Sequence, residues 1–230
     1  MSGFPQDISR MKDVIVVAVT KTLPIDAITS AYAHGFRHFG ENYVEEFERK
    51  YRKLPDEIKK HAVFHMIGHV QGRKVKNVVS LFDWVDSVDS YTLAVRLSRA
   101  AKELGKTVHI LLQVNLSGEE TKFGYDLLGW RENNEKFTAF CRDIGQMITL
   151  PHISIEGLMT MPPLVVGDPQ KNQPIFREMR ALRAALAGEF PHHPWKHLSM
   201  GTSQDYHVAI SEGATMVRLG EALFGKRDKK

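Results

Sequence analysis

Lys21 follows the first strongly apolar segment of the chain, the VIVVAV run at residues 14–19. A nearly unbroken run of β-branched residues is typical of a strand buried on both faces of a parallel sheet. In α/β folds the chemistry lies at the carboxyl ends of such strands, so the amine of Lys21 is placed to form a Schiff base with an aldehyde. Pyridoxal phosphate (PLP) is the commonest cofactor of this kind. The alternative is a solvated lysine that ends a strand.

Two segments of small residues near the end of the sequence offer a site for an anion. SMGTS at 199–203 and RLG at 218–220 each precede a predicted helix, where backbone N–H groups attract phosphate. Gly201 and Gly220 permit close approach of the backbone to a ligand. Barrel folds build phosphate sites from these two loops, which favours such a site over glycines that merely turn the chain. The candidates are Ser199, Gly201, Thr202, Ser203 and Gly220.

Arg218 lies inside an apolar strand, where a buried guanidinium must be paired or hydrogen-bonded. It could face the ring nitrogen of a cofactor, or form a structural salt bridge with an acid such as Glu41 or Glu156. Because arginine keeps its proton, a pyridine nitrogen beside it would stay unprotonated, and the cofactor would be a weaker electron sink.

His65 and His69 have a spacing seen in metal sites on helices, but they lie on or just after a predicted strand. No carboxylate partner is evident from the sequence, so we predict no metal site there.

Strands and helices alternate along the whole sequence, and eight such units match a (β/α)8 TIM barrel better than an open sheet. One basic helix is predicted from Gln71 to Ser80, and the longest irregular stretch runs from Pro162 to Gln173. The carboxyl ends of all strands meet at one face of a barrel, which brings the candidate residues together. The predicted strands are Val14–Thr20, Phe36–Gly40, Val63–Gly68, Trp84–Val88, His109–Asn115, Ile153–Met161, His197–Met200 and Met216–Leu219.

The bulk composition is that of an ordinary globular chain of 230 residues, with 43% hydrophobic and 25% charged residues. Residues 226–230 carry most of the net charge of +4, so we expect one domain over residues 1–230 with a basic tail rather than a nucleic-acid-binding face. Cys141 is the single cysteine, and no apolar run approaches the roughly 20 residues that cross a bilayer. Residues 1–13 lack an apolar signal-peptide core. We therefore expect a cytoplasmic protein.

Taken together, segments spread over nearly the whole chain resemble the pyridoxal phosphate homeostasis protein family, whose members are alanine-racemase-like single barrels. These segments are VAVTKT (17–22), FGENYVEE (39–46), HMIGHVQGRK (65–74), VDSVDS (85–90), LLQVN (111–115), KFGY (122–125), GLMTM (157–161), LSMGTSQDYHVAI (198–210) and GATMVRLGEALFG (213–225). The resemblance implies a fold-type III PLP-binding barrel like the N-terminal domain of alanine racemase, with Lys21 as the Schiff-base lysine. It implies that Arg218 lies near the pyridine nitrogen and that Asn42 lines the cofactor pocket. The residues implied near the phosphate are Ser199, Met200, Gly201, Thr202, Ser203 and Gly220.

Three features depart from the family pattern. Only thirteen residues precede Val14, where the family usually has a longer helix. Thr202 stands where methionine is common, and Glu221 stands where a threonine is common next to the phosphate. A carboxylate beside a phosphate is repulsive unless it points away, so the role of Glu221 is open.

The resemblance implies a carrier or buffer of PLP, with PLP-dependent apo-enzymes as partners, and we expect a monomer. The alternative is a PLP-dependent amino-acid racemase, which would need acid/base groups on both faces of the substrate carbon. A third alternative is a module that binds nucleic acid or another protein through the basic tail.

Overall fold

The computed structural model describes residue 11 and residues 13–119, 122–165 and 167–226. Its strands are β1 (Ile15–Val19), β2 (His38–Glu41), β3 (Val63–Met66), β4 (Trp84–Val88), β5 (Val108–Asn115), β6 (Tyr125–Asp126), β7 (Ile153–Met159), β8 (His197–Thr202) and β9 (Met216–Leu219). Its α-helices are α1 (Ile25–Ala33), α2 (Val44–Lys53), α3 (Asp56–His61), α4 (Val75–Leu81), α5 (Tyr91–Glu103), α6 (Asn134–Ile148), α7 (Gln173–Glu189), α8 (Tyr206–Ser211) and α9 (Glu221–Phe224). Two 3₁₀ turns cover Gly72–Lys74 and Pro169–Asn172.

Within these described ranges, eight parallel strands close into a barrel. Each pairs with its neighbours in the order β1, β2, β3, β4, β5, β7, β8, β9, and β9 pairs again with β1. The two-residue strand β6 pairs with the end of β5. The predicted (β/α)8 barrel is therefore confirmed, and all carboxyl ends of its strands lie at one mouth.

Successive side chains of the strands alternate between two apolar environments. Ala18 and Phe39 belong to the large layer between strands and helices, which also contains Ile28 of α1 and Phe47 of α2. A smaller inner cluster is formed by Val17, Trp84, Leu111, Met159 and Met216. Because both faces of each strand are covered, the strands carry apolar runs rather than an alternating pattern, as the sequence predicted.

Two predictions about the connections need correction. The single helix predicted over Gln71–Ser80 is a 3₁₀ turn at Gly72–Lys74 that continues as α4. The predicted irregular stretch Pro162–Gln173 contains a 3₁₀ turn, which begins where Asp168 accepts a 3.1 Å hydrogen bond from the amide of Gln170. Short polar sequences of this kind have too few apolar residues for periodicity to reveal a turn of helix.

The predicted basic tail lies almost entirely outside the described part of the structure. Of residues 226–230, only Lys226 lies within the described part of the structure, so the basic tail as a unit lies outside it. The domain prediction over residues 1–230 therefore remains a prediction. None of the described helices has the length and apolar character to cross a membrane.

Candidate functional site at the mouth of the barrel

A cavity of about 310 Å³ opens at the carboxyl ends of the strands. The described residues that line it come from the ends of β1, β2, β3, β7, β8 and β9, the arrangement that barrel folds use for ligand sites. They are Val19, Lys21, Asn42, Ile67, Met161, Leu164, Thr202, Ser203, Gln204, Arg218, Gly220 and Glu221.

Lys21 reaches the cavity from the turn that ends β1. The amide of Thr20 donates to the carbonyl of Gly40 on β2 at 3.0 Å, and the amide of Leu23 donates back to the carbonyl of Thr20 at 3.1 Å. The lysine side chain is half-buried. The strand end therefore holds an amine at the wall of the cavity rather than in open solvent.

Asn42 lines the cavity one residue after β2, and its backbone packs closely against Gly68. A Cβ atom at Gly68 would lie 2.4 Å from the carbonyl oxygen of Asn42 and 2.8 Å from its Cα. Ser87 on β4 donates a 2.6 Å hydrogen bond to the Gly68 carbonyl, which fixes this loop from the other side. Only glycine fits at position 68 without moving Asn42.

Arg218 is 3% exposed and links three strands. Its guanidinium donates to Ser199 Oγ at 2.6 Å, to the carbonyl of Thr160 at 2.8 Å and to Met161 Sδ at 2.9 Å. Burial lowers its pKa, whereas the carboxylates of Asp86 and Asp205 raise it. Since an arginine stays protonated under such conditions, the guanidinium is a fixed positive charge at the cavity wall.

The salt bridges suggested for Arg218 are wrong. Glu41 pairs instead with Lys50 of α2 at 2.9 Å. Glu156 accepts hydrogen bonds from His109 at 2.8 Å and from Lys196 at 3.0 Å. The contacts of Arg218 described above are with a hydroxyl, a carbonyl and a thioether, and the carboxylates of Asp86 and Asp205 act on its charge electrostatically.

The SMGTS segment, which forms the end of β8 and the residue after it, lies partly at the cavity and partly in the structure that supports it. Thr202 and Ser203 line the cavity. Ser203 Oγ accepts hydrogen bonds from the amides of Gly220 and Ala222, both at 3.0 Å, at the start of α9. Thr202 is held by Asp205, whose Oδ1 accepts from the Thr202 amide at 2.7 Å. Backbone N–H donors of the loop after β9 thus converge on an acceptor at the cavity edge.

Three predicted residues of this segment are not among the described residues that line the cavity. Ser199 is fully buried and accepts the hydrogen bond from Arg218. Met200 points into the outer apolar layer. Gly201 has φ +93°, and a Cβ there would meet Ala209 Cβ at 2.6 Å. The structure thus places these three residues in supporting positions, and their predicted nearness to a phosphate stays a prediction.

Several residues at the cavity were missed as site residues by the sequence reasoning. Ile67, Gln204 and Leu164 line the cavity, and so does Met161, the last residue of a predicted strand, whose side chain is 42% exposed. Gln204 directly follows the SMGTS segment, and that position is the one signal that could have indicated it. Apolar residues in a loop give no comparable signal.

The two histidines considered for a metal do have carboxylate partners, contrary to the expectation. His65 Nδ1 lies 3.0 Å from Asp86 Oδ1, with both side chains fully buried, and His69 Nδ1 lies 3.3 Å from Asp89 Oδ2. Across the described ranges, no group of three or more such side chains could hold a metal ion. The two pairs are separate acid–imidazole contacts.

The charges around the cavity suit an anionic ligand with an electrophilic carbon. Lys21 supplies a primary amine, Arg218 a guanidinium, and Ser203 and Thr202 hydroxyl and backbone groups at the edge. Glu221 is the acidic exception among the described lining residues, and its exposure to solvent screens its charge. An aldehyde that also carries a phosphate fits this donor set.

Comparison with known families agrees with the fold. A family model described as alanine racemase, N-terminal domain, matches residues 6–228. The barrel is therefore of the alanine racemase N-terminal class.

Individual relatives show to which family within this class the chain belongs. The pyridoxal phosphate homeostasis protein of Aquifex aeolicus is 36% identical over 212 residues, which cover 92% of this chain and 86% of the relative. The structure of PipY from Synechococcus elongatus PCC7942 without PLP is 36% identical, has a TM-score of 0.85 and covers 96% of this chain and 98% of that chain. PipY with PLP bound gives a TM-score of 0.83 at 36% identity, covering 96% of this chain and 97% of that chain. The chain belongs to the pyridoxal phosphate homeostasis protein family.

Proposed function

We propose that this protein binds PLP as a Schiff base on Lys21 and takes part in PLP homeostasis as a reversible carrier or buffer of the cofactor. One observation carries the proposal: a lysine amine and a buried arginine line the same cavity as the hydroxyl-rich loop after β8. The family relatives named for PLP homeostasis, and PipY with PLP bound, support it.

The covalent step needs only the amine of Lys21. Its neutral nitrogen would attack the aldehyde carbon, a C=N bond would replace the C=O bond, and the oxygen would leave as water with the two amine protons. Hydrolysis would return the free aldehyde and the free amine. When bound, PLP supplies an electrophilic aldehyde and an electron-withdrawing ring. A reversible linkage of this kind suits storage, because the same reaction run backwards releases the cofactor unchanged.

The remaining predicted residues would hold the cofactor without bond changes. Arg218 would lie at the pyridine nitrogen, and its contacts with Ser199 and Thr160 keep the guanidinium in one orientation. Thr202, Ser203 and Gly220 would lie around the phosphate, and Ser203 Oγ, which accepts from the amides of Gly220 and Ala222, would direct its O–H to a phosphate oxygen. Asn42, which lies on the cavity wall, would contact the cofactor.

The proposal includes three further points. We place the protein in the cytoplasm, since one cysteine in the whole sequence suits a reducing compartment. We take it to act as a single-domain monomer. Its partners would be PLP-dependent apo-enzymes that receive the released cofactor.

The test is reductive trapping. Purified protein is mixed with PLP, the absorbance band of the imine is recorded, and borohydride reduction is followed by peptide mapping. We expect the label on Lys21, and loss of both band and label in Lys21→Ala. Lys102→Ala is the matched control, because Lys102 is an exposed residue in the last turn of α5. A label that maps to other lysines while Lys21 stays unmodified would overturn the proposal.

A further inference from the structure

The backbone next to Lys21 has an unusual conformation. Thr22 has φ 62°, in the left-handed region that β-branched residues rarely adopt. Such a conformation persists only where the surrounding structure holds it, and it clusters at functional sites. The turn that carries Lys21 must therefore be held by contacts with neighbouring elements.

Helix α2 contacts the chain on both sides of Lys21. Glu46 Oε1 accepts a 2.6 Å hydrogen bond from the amide of Thr22, and Lys50 Nζ donates a 2.9 Å hydrogen bond to the carbonyl of Thr20. Glu46 and Lys50 are joined to each other by a 2.6 Å ion pair, one helical turn apart. The two residues that flank Lys21 are therefore fixed by one ion pair.

A buried acid completes the arrangement from β2. Glu41 is fully buried, and its Oε1 accepts from Thr20 Oγ1 at 2.8 Å and from Lys50 Nζ at 2.9 Å. The other carboxylate oxygen, Oε2, is buried with no hydrogen-bond partner in the described part of the chain. Stability alone does not explain such a buried ion network, because apolar side chains of similar size in the same place often stabilise a fold equally well.

We infer that Glu46 and Lys50, supported by Glu41, are positioning residues that set the direction in which the amine of Lys21 enters the cavity. The inference rests on the proposed function and names the residues that prepare its reactive amine. Neither Glu46 nor Lys50 is among the described residues that line the cavity, so they act through the backbone of Thr20 and Thr22.

The physical reason is the flexibility of lysine. Its amine is carried by a long chain of single bonds, so the direction of the Cα–Cβ bond decides which part of the cavity the nitrogen samples. A misplacement of about 1 Å lowers the reactivity of an otherwise correct group substantially. Hydrogen bonds to the residues before and after Lys21 restrict that direction more than contacts with the side chain alone.

The test compares three variants in the same helix. Glu46→Ala removes the acceptor for the Thr22 amide, and Glu46→Gln keeps an oxygen that can accept. Glu48→Ala is the matched control, because Glu48 pairs with Arg52 on the exposed side of α2. We expect Glu46→Ala to raise the PLP concentration for half-maximal imine absorbance about tenfold, and the other two variants to stay within about threefold of wild type.

Two readouts separate positioning from a general structural defect. In the protein without cofactor, amide hydrogen exchange at Thr22 is expected to become about tenfold faster in Glu46→Ala. Pyridoxine 5′-phosphate, which has an alcohol in place of the aldehyde and forms no imine, is expected to bind Glu46→Ala as it binds wild type. A merely structural role would weaken the binding of both compounds.

The outcomes distinguish this inference from the proposed function. If wild type is labelled on Lys21 and Glu46→Ala captures PLP as well as wild type does, the positioning role is wrong and the proposed function stands. The same conclusion follows if both compounds bind Glu46→Ala equally weakly. If Lys21 of wild type stays unlabelled, both are overturned. Should Glu46→Ala not fold, Glu46→Asp takes its place, because the shorter side chain withdraws the acceptor from the Thr22 amide while keeping the charge. A loss of about tenfold in imine affinity with unchanged binding of pyridoxine 5′-phosphate then supports the role, and an imine affinity equal to that of Glu48→Ala contradicts it.

Discussion

Arg218 Nη1 donates a 2.6 Å hydrogen bond to Ser199 Oγ, and both residues are buried. The bond joins β9 to β8, the two strands whose carboxyl ends and following residues were predicted to bind the phosphate. A second guanidinium nitrogen donates to the carbonyl of Thr160 just after β7. One side chain therefore ties three strand ends together and also presents its charge at the cavity.

Replacing Arg218 by Met is expected to weaken both stability and PLP capture. The change leaves Ser199 Oγ and the Thr160 carbonyl buried without their donor, at about 1–3 kcal/mol for each group. We expect a loss of roughly 2–5 kcal/mol in the free energy of unfolding, measured by urea denaturation, and at least about a tenfold loss of PLP affinity.

Arg52→Met is the control for Arg218→Met, because Arg52 is a largely exposed residue paired with Glu48. Such surface pairs contribute about 0–1 kcal/mol, so stability and PLP affinity should hardly change. Arg218→Lys keeps the charge in a smaller hydrogen-bonding group, and it should lie between wild type and Arg218→Met in affinity. Unchanged PLP affinity in Arg218→Met would show that the guanidinium does not contact the cofactor.

A methyl group at Gly68 should disturb Asn42 specifically. In Gly68→Ala the new Cβ would lie 2.4 Å from a backbone oxygen, so the loop after β2 or the loop after β3 must move. We expect a loss of about 1–3 kcal/mol in stability and a weaker imine band. Gly188→Ala in α7 is the control, since a Cβ there meets nothing within 4 Å and alanine favours a helix by about 0.5–1 kcal/mol. Equal imine formation in both variants would show that the position of Asn42 does not matter for PLP binding.

The fold and much of the cavity could be predicted from the sequence because both depend on local patterns. Buried strands produce apolar runs, and the residues after such a run lie at the barrel mouth, which is how Lys21 was located, whereas Asn42 was expected from the family resemblance. Strand ends were accurate to one or two residues. The supports of the site were not predictable in this way.

Those supports depend on pairs that are distant in sequence. Glu46 and Lys50 read as charged positions of an amphipathic helix, and nothing local indicates that they contact the backbone beside Lys21. The partner of His65 is Asp86, 21 residues away, and the two meet only because β3 and β4 are neighbours in the barrel. The left-handed φ of Thr22 has no sequence signal either, since threonine disfavours it.

The proposed carrier role predicts that the protein has no racemase turnover. Among the described lining residues, the ionisable side chains are those of Lys21, Arg218 and Glu221. Arginine does not give up its proton near neutral pH, so Lys21 and Glu221 are the described lining residues left to act as the proton donor and acceptor that racemisation needs on opposite faces of one carbon. Conversion of L-alanine to D-alanine in the presence of PLP should equal that of Lys21→Ala. Turnover well above that of Lys21→Ala would make the protein an enzyme.

Stability should fall below neutral pH because of a histidine inside the barrel. His38 Nδ1 lies 2.9 Å from His65 Nε2, and His65 Nδ1 lies 3.0 Å from Asp86. When Nδ1 of His65 donates to the carboxylate of Asp86, Nε2 of His65 accepts a hydrogen bond from Nδ1 of His38. Burial lowers the pKa of His38 from 6.5 to about 4, with His65 and His197 acting in the same direction and Asp86 against it.

The sign follows from proton binding. Between pH 6.5 and about 4 the unfolded chain holds a proton on His38 and the folded chain does not, so protonation favours unfolding as the pH falls. At about 1.4 kcal/mol per pKa unit, the shift predicts a loss of about 2 kcal/mol between roughly pH 7 and roughly pH 5. His38→Gln keeps a donor toward His65 but does not titrate. Over the same pH range, the free energy of unfolding of His38→Gln should therefore fall by about 2 kcal/mol less than that of wild type. His61→Gln, at the exposed end of α3, should follow wild type. Urea denaturation at several pH values measures all three, and parallel curves for wild type and His38→Gln would show that His38 titrates normally in the folded barrel.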